Sequence, residues 1–318
     1  MNIGVVSPSS NLRNCRVRYE RALQFLRSHG HCVFEGELAR RDYYYTTGTV
    51  EERAHELNQM IHNDAIELIF FSIGGYNSAS IIPYIDYEYL RKNRKIFVGN
   101  SDITSILVAL SHIDNVELFY FPTLVPAFGE IGDMLIENYK YFEEVIMTRN
   151  TSYRYKVPKK WTDDWVNWGN FEREKRTNDN EWKVVKSGIA EGILVGGNLN
   201  TLVKLLASDY FYNLDGKILF LEDTSISAGA LEGTVTSLVM SNRMRGVKGL
   251  VVCKCEKYND EGMPLNYGEF ICSLFKDFDI PMLIDFDCGH THPAIPLQIG
   301  KLYRLNLAPN SIEFERRN

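Results

Sequence analysis

The strongest constraint on the fold is an alternation of strand and helix patterns through the first half of the chain. Apolar segments such as IGVV, AIELIFF and KIFVG are separated by amphipathic segments such as RYERALQFLRSHG and TVEERAHELNQMIHND. Strands that are buried on both faces are apolar nearly throughout, and a βαβα order is typical of a parallel sheet covered by helices. We therefore expect an N-terminal α/β domain of the Rossmann or flavodoxin-like kind.

The second half of the chain has a different pattern. From GIAEGILVGG onward, short strand patterns follow one another with only two or three helical segments between them, which predicts a smaller, mixed α/β C-terminal domain rich in β-strands. We place the N-terminal domain at residues 1–152, a connection at 153–187 and the C-terminal domain at 188–318. The connection contains all four tryptophans of the chain, which either form a structural cluster or stack on a ligand.

Composition excludes several classes of protein. A net charge of −6 over 318 residues argues against nucleic-acid binding through bulk electrostatics. No apolar run is long enough to span a bilayer, and the N-terminus lacks a signal pattern, so we expect a cytoplasmic protein without membrane association. The cysteine spacing fits neither a zinc ribbon nor a disulfide scaffold, and we predict no metal and no cofactor.

The segment FVGNSDITSILVAL carries a serine and an aspartate where a strand pattern turns into a helix pattern. Ser101 or Asp102 could cap the helix, which is the usual role of such residues at a helix start. A serine at this kind of corner can also be a nucleophile, with its hydroxyl exposed at the carboxyl end of the sheet. The segment by itself leaves both interpretations open.

A serine nucleophile needs a base and a group that orients the base. His290 lies in the turn FDCGHTHP after a strand pattern, and Glu222 and Asp223 end the apolar segment KILFLEDT. An acid at the end of a buried strand needs a partner because burying an unpaired charge is costly. The ordinary alternative is a carboxylate that caps the next turn.

Five motifs along the chain together carry a family resemblance: GGYNS, GNSDIT, EGILVGGNLNTL, ILFLEDT and DFDCGHTHP. In this order and at these separations they resemble the serine peptidase family of LD-carboxypeptidases and microcin C self-immunity proteins. The resemblance implies that Ser101 is the nucleophile, Glu222 the acid and His290 the base, in a cleft between the two domains. It also implies an oxyanion hole formed by the backbone N–H groups of Gly75 and Asp102.

Two features favour the microcin-immunity branch of this family: the tryptophan-rich connection and the second histidine of the turn, His292. That branch implies a peptidyl- or aminoacyl-nucleotide substrate whose base stacks on a loop tryptophan. Trp168 is our first candidate for stacking and Trp161 the second, with Asn198 as a further substrate-binding residue. The resemblance also implies a homodimer. The alternatives are a murein tetrapeptide LD-carboxypeptidase and a non-catalytic nucleotide- or peptide-binding protein on the same scaffold.

Overall fold

The computed structural model describes residues 1–148, 151–168 and 173–317. The chain forms two compact units, one of residues 1–140 and 166–175, the other of residues 141–165 and 176–318. The tryptophan-rich connection is therefore divided, because its middle part groups with the first unit and its two flanks with the second. Across the described residues, no helix combines the length and the apolar character that a membrane span requires.

In the described part of the first unit, five parallel strands form the sheet in the order β5-β4-β3-β1-β2. The strands are β1 (Asn2–Val6), β2 (Cys32–Glu35), β3 (Leu68–Phe71), β4 (Lys95–Gly99) and β5 (Val116–Tyr120). The helices are α1 (Arg16–Ser28), α2 (Val50–His62), α3 (Tyr87–Lys92), α4 (Thr104–Leu110), α5 (Leu124–Phe128) and α6 (Asp133–Tyr141). Short 3₁₀ helices cover Glu37–Arg40, Ser78–Tyr84 and Ser101–Ile103. The predicted parallel α/β architecture is confirmed.

Local sequence explains how these elements begin and why they pack. Helix α2 starts with a capping box, in which the Thr49 side chain accepts from the Glu52 backbone and the Glu52 side chain accepts from the Thr49 N–H. Strands β3 and β4 are buried at every position, as apolar strands in the middle of a parallel sheet must be. At its carboxyl end, β4 continues directly into the GNSDIT segment.

The second unit contains an eight-stranded sheet in the order β6-β16-β15-β10-β11-β12-β13-β9. Its strands, together with the separate β7–β8 pair and β14, are β6 (Tyr153–Arg154), β7 (Lys160–Trp161), β8 (Asn178–Asp179), β9 (Lys183–Lys186), β10 (Gly188–Asn198), β11 (Lys217–Glu222), β12 (Gly249–Cys253), β13 (Met282–Phe286), β14 (Leu297–Ile299), β15 (Leu302–Ala308) and β16 (Ser311–Arg316). The helices are α7 (Leu199–Lys204), α8 (Ala228–Met240) and α9 (Tyr267–Leu274), with a 3₁₀ turn at Asn242–Met244 and a π-helical segment at Phe142–Met147.

This sheet is mixed, as the strand patterns predict. Strands β10 to β13 pair in parallel, while β15, β16, β6 and β9 add antiparallel pairs at its two sides. Two of the eight strands, β6 and β9, come from the connection and form the two edges of the sheet. Strand β11 ends at Glu222, and β13 is followed by the DCGHTHP turn.

Candidate active site

Ser101 occupies a strained corner directly after β4. Its φ angle is +59°, in the left-handed region that a residue with a side chain rarely adopts. The Tyr120 hydroxyl oxygen lies 3.3 Å from the Ser101 nitrogen and accepts its N–H, and the Ile103 N–H donates to the Asn100 carbonyl. Strain of this kind recurs at functional sites and at nucleophile corners.

The capping alternative for this serine finds no support in the structure. The 3₁₀ turn that begins at Ser101 and helix α4 after it have no side-chain cap hydrogen bond at their N-termini. The Asp102 carboxylate instead accepts the Ser9 hydroxyl at 2.6 Å and the Ser78 N–H at 2.8 Å. The Asp102 carbonyl also accepts the hydroxyls of Ser78 and Ser105, each at 2.7 Å. Asp102 is thus held on both its side chain and its backbone.

The glycine pair of the IGGYNS segment lies against this corner. A Cβ on Gly74 would lie 2.9 Å from both the Cβ and Oγ of Ser101, and 3.6 Å from the Asp102 nitrogen, so only glycine allows this approach. Gly75 has a φ of +154°, and a Cβ there would collide with the Ser9 and Ser10 hydroxyls. The two residues predicted for the oxyanion hole, Gly75 and Asp102, therefore belong to one packed group of loops in the first unit.

In the second unit, the structure pairs Glu222 with His290. The His290 ring nitrogen Nδ1 forms a short hydrogen bond with Glu222 Oε1, and the same oxygen accepts the His290 backbone N–H at 3.2 Å. The Glu222 side chain is fully buried, while that of His290 is 18% exposed. Gly289 between them has a φ of +94°, and a Cβ there would collide with the Glu222 carboxylate. The glycine of the GHT turn is therefore required for this contact.

The electrostatics of the pair favour a charged imidazole. Burial lowers the pKa of His290, but the charge of Glu222 and its hydrogen bond outweigh burial and raise that pKa to about 9. Burial and the neighbouring Glu222 charge raise the pKa of Asp223 to about 6. Glu222, not Asp223, is the carboxylate that is hydrogen-bonded to the histidine ring.

Asn198 lies beside these two acids, a link that the sequence did not reveal. Its side-chain oxygen caps α7 by accepting the Thr201 N–H at 3.1 Å. Its side-chain nitrogen donates to Asp223 Oδ1 at 3.2 Å and to Glu222 Oε2 at 3.4 Å. Asn198, the predicted substrate-binding residue, therefore also bridges the carboxylate pair. The signal that could have shown this is its place at the end of β10, because β10 pairs with β11 in a register that aligns Asn198 with Glu222.

Three of the four tryptophans, Trp168, Trp161 and Trp182, have different surroundings. Trp168 belongs to the part of the connection that groups with the first unit, and the guanidinium carbon of Arg18 lies 5.2 Å from its ring centre. In the second unit, Lys254 lies 5.2 Å from the ring centre of Trp161. Trp182 is buried, donates its ring N–H to Asp287 at 2.7 Å and is therefore a structural residue.

The Trp161 segment also contacts the histidine turn. Thr162 and His292 exchange two backbone hydrogen bonds of 2.7 and 3.0 Å between nitrogen and oxygen. His292 is buried, and the described residues contain no group of histidine, cysteine and acidic side chains that could hold a metal ion. In the structure, the second histidine thus joins the tryptophan segment to the turn that carries His290.

Comparisons with known proteins identify the family of the chain. Residues 3–120 match the family model of the LD-carboxypeptidase N-terminal domain, and residues 191–305 match that of the C-terminal domain. The chain is 33% identical to the microcin C7 self-immunity protein MccF of Escherichia coli, over 95% of this chain and 87% of that protein. It is 32% identical to a putative carboxypeptidase of Vibrio cholerae, over 99% of this chain and 95% of that protein.

A more distant relative is a probable murein peptide carboxypeptidase of Bacillus subtilis, 26% identical over 98% of this chain and 91% of that protein. Among solved structures, MccF in complex with aspartyl sulfamoyl adenosine superposes with a TM-score of 0.93 at 30% identity, covering 100% of this chain and 96% of the other. MccF in complex with glutamyl sulfamoyl guanosine matches equally well. The chain therefore belongs to the LD-carboxypeptidase family, which includes MccF, and is a serine peptidase-like hydrolase.

Proposed function

We propose that this protein is a serine hydrolase that cleaves the acyl bond of peptidyl- or aminoacyl-nucleotide compounds such as processed microcin C, and so gives self-immunity or detoxification. The nucleophile is Ser101, the base His290 and the orienting acid Glu222. The observation that carries the proposal is the Glu222–His290 hydrogen bond, because a catalytic triad requires a carboxylate that orients the histidine. The strained conformation of Ser101 supports its role independently.

The reaction follows from the chemistry of these groups. The Ser101 hydroxyl oxygen attacks the acyl carbon, forming a C–O bond while its proton passes to Nε2 of His290. The N–H groups of Gly75 and Asp102 stabilise the resulting oxyanion, which is the contribution that such donors make in acyl transfer. Collapse of the intermediate breaks the bond between the acyl carbon and nitrogen, and His290 returns the proton to that nitrogen. Water then hydrolyses the acyl-enzyme by the same steps, releasing the acid and restoring Ser101.

Glu222 keeps the imidazole in the tautomer that this scheme needs. Its hydrogen bond to Nδ1 places the proton on that atom and leaves Nε2 to accept the serine proton. The charge of Glu222 then stabilises the imidazolium that forms in the transition state. Asn198 supports this by donating to both Glu222 and Asp223.

The substrate class rests on the ligands that MccF binds in its solved structures, which join an acidic aminoacyl group to a nucleoside through a sulfamoyl link. For this chain we propose an aminoacyl or short peptidyl group on the reactive side and a nucleoside on the leaving side. Trp168 is the proposed stacking partner of the base, with Trp161 as the alternative. From the resemblance to the family we further propose that the protein acts as a homodimer in the cytoplasm.

A second candidate function is cleavage of murein tetrapeptides between meso-diaminopimelate and the terminal D-alanine. The relationship to the probable murein peptide carboxypeptidase of Bacillus subtilis favours it, since the same residues would carry out the same acyl transfer. A non-catalytic binding protein is disfavoured, because a protein that only binds has no need for the Glu222–His290 pair.

One experiment separates these functions. Purified protein is incubated with aspartyl sulfamoyl adenosine and, in parallel, with a murein tetrapeptide, and the initial rates of acid and D-alanine release are compared. We expect faster turnover of the aminoacyl sulfamoyl nucleoside. Exclusive turnover of the tetrapeptide would establish the murein function instead, and failure of a fluorophosphonate to label Ser101 would indicate a binding protein.

A further inference from the structure

A buried arginine, Arg53 of helix α2, connects two loops of the first unit. Only 2% of its surface is exposed. Its nitrogen Nη1 donates to the Pro8 carbonyl at 2.5 Å and to the Asn77 carbonyl at 3.4 Å, and Nη2 donates to the Ser80 hydroxyl at 3.1 Å. The remaining nitrogen, Nε, donates to the carbonyls of Gly48 and Thr49. The guanidinium thus bonds the loop after β1, the loop after β3 and the start of its own helix.

The acceptors of this arginine are all neutral oxygens. Among the residues that the structure describes, no carboxylate forms an ion pair with Arg53, and burial lowers its pKa. Burying a cation without a direct counter-charge is expensive, and such groups are usually retained for a reason other than stability. A long apolar side chain in this position would fill the space without that cost.

The loops that Arg53 bonds are those that border the proposed oxyanion hole. Pro8 leads into Ser9 and Ser10, and the Ser10 N–H donates to the Gly74 carbonyl at 3.2 Å. Ser9 donates to the Asp102 carboxylate at 2.6 Å, and Asn77 follows Gly75 by two residues. Gly75 is therefore two residues from Asn77, whose carbonyl Arg53 bonds, and Asp102 accepts from Ser9, the residue after the Pro8 carbonyl that Arg53 bonds.

We propose that Arg53 is a positioning residue for the oxyanion hole, because its forked guanidinium fixes the Pro8–Ser10 turn against the Gly74–Asn77 loop. The proposal rests on the function proposed above, in particular on the roles of Ser101 and Gly75. Arginine suits this task because one planar group can bond several carbonyls in a fixed geometry, which lysine cannot do.

The test compares Arg53→Lys and Arg53→Gln with a matched control in the second unit. Arg316 is also buried and donates from Nη1 to Gln298 at 2.6 Å, so Arg316→Lys removes a comparable buried guanidinium that makes none of the hydrogen bonds of Arg53. The kinetic constants kcat and KM are measured on aspartyl sulfamoyl adenosine. Calorimetry measures the affinity for adenosine monophosphate, and labelling with a fluorophosphonate measures the second-order rate constant of Ser101 modification. Circular dichroism and thermal unfolding show up to which temperature each variant stays folded.

For both Arg53 variants we expect kcat to fall roughly 10- to 100-fold, less than for loss of a direct oxyanion donor. KM and the nucleotide affinity should stay within about threefold, and the fluorophosphonate rate should fall in parallel with kcat/KM. Lysine should retain more activity than glutamine because its ammonium group has three N–H donors for these oxygens, whereas the glutamine amide has two. In Arg316→Lys, stability should fall while kcat is unchanged.

Two results would overturn the proposal. One is kcat within threefold of the wild type in both Arg53 variants; the other is a loss confined to KM and nucleotide affinity. If Arg53→Gln does not fold, the comparison of Arg53→Lys with Arg316→Lys decides by the same criteria. Ser101→Ala separates the two hypotheses: an active Ser101→Ala protein refutes the proposed function itself, whereas an inactive one alongside fully active Arg53 variants refutes only the role of Arg53.

Discussion

The guanidinium carbon of Arg18 lies 5.2 Å from the ring centre of Trp168. Arg18 is buried and ion-paired with Glu130, which also lies 3.3 Å from the Lys175 ammonium nitrogen. The arginine thus covers one face of the indole from a fixed position, in a cation–π contact. A ligand that stacks on this tryptophan, as proposed, would therefore have to use the other face.

Replacing Trp168 with alanine should change substrate preference. We expect kcat/KM on aspartyl sulfamoyl adenosine to fall by a factor that corresponds to a loss of about 1–3 kcal/mol of transition-state stabilisation, the range for base–aromatic stacking. Activity on a base-free peptide substrate should change little. Steady-state kinetics on both substrates measure this. Trp161→Ala is the matched comparison, because Trp161 is the other candidate. Equal losses on both substrates in Trp168→Ala would mean that the residue serves packing alone.

Ser101→Ala should abolish turnover and leave the fold intact. Removal of a triad serine typically costs far more than a hundredfold in kcat, and alanine fits any site that holds serine. Turnover is measured together with circular dichroism and the temperature of unfolding. Residual activity above about one hundredth of the wild type would show that another residue is the nucleophile.

Glu222→Gln should lose most of the rate with little change of shape, because glutamine no longer stabilises the imidazolium or fixes its tautomer. Asp223→Asn is the matched control, since Asp223 is buried beside Glu222 and shares the Asn198 donor but is not the acid hydrogen-bonded to His290. We expect kcat of Asp223→Asn to stay well above that of Glu222→Gln. The reverse order would assign the orienting role to Asp223.

The pH dependence of kcat/KM should report His290. Burial lowers its pKa, but Glu222 raises it to about 9, and the imidazole must be neutral to accept the serine proton. The rate should therefore rise from pH 7 toward pH 9, roughly tenfold per unit well below the pKa, and level off above it. In Glu222→Gln the midpoint should move to lower pH, since the charge that holds the proton on the ring is gone. An unmoved midpoint in that variant would assign the titration to a different group.

Trp182→Phe should destabilise the protein and affect all substrates alike. The substitution removes the ring N–H that donates to the buried Asp287 carboxylate and keeps the aromatic packing on Phe286. Hydrogen bonds to charged groups contribute about 1.5–3 kcal/mol, so the free energy of unfolding from urea titrations should fall by about that amount. Trp165→Phe provides the control, because Trp165 is 44% exposed and its replacement should change stability by less than about 0.5 kcal/mol. A selective loss of nucleotide turnover in Trp182→Phe would contradict its structural role.

The architecture could be predicted from the sequence because strands and helices are indicated by local residue patterns. Apolar runs such as LIFF and KIFVG, spaced by amphipathic helices, specify strands that are buried on both faces, and β3 and β4 are buried throughout. The same locality explains why the serine corner could be identified, since it depends on consecutive residues at the end of one strand. It also explains the uncertainty over Ser101, because a helix cap and a nucleophile begin with the same residues.

The partners of buried polar groups were decided by the tertiary structure. Asn198 reaches Glu222 because β10 and β11 pair in a register that aligns them, and Arg53 reaches Pro8 across 45 residues because α2 packs beside β1. The division of the tryptophans is of the same kind, as Trp182 is structural only because Asp287 lies where its N–H points. The sequence alone thus determined the elements, the family and the candidate nucleophile, acid and base, since periodicity and short motifs are local properties. Only the tertiary structure decided which groups hold those residues in place, because a buried donor takes whichever acceptor the packing of distant segments brings within hydrogen-bond distance.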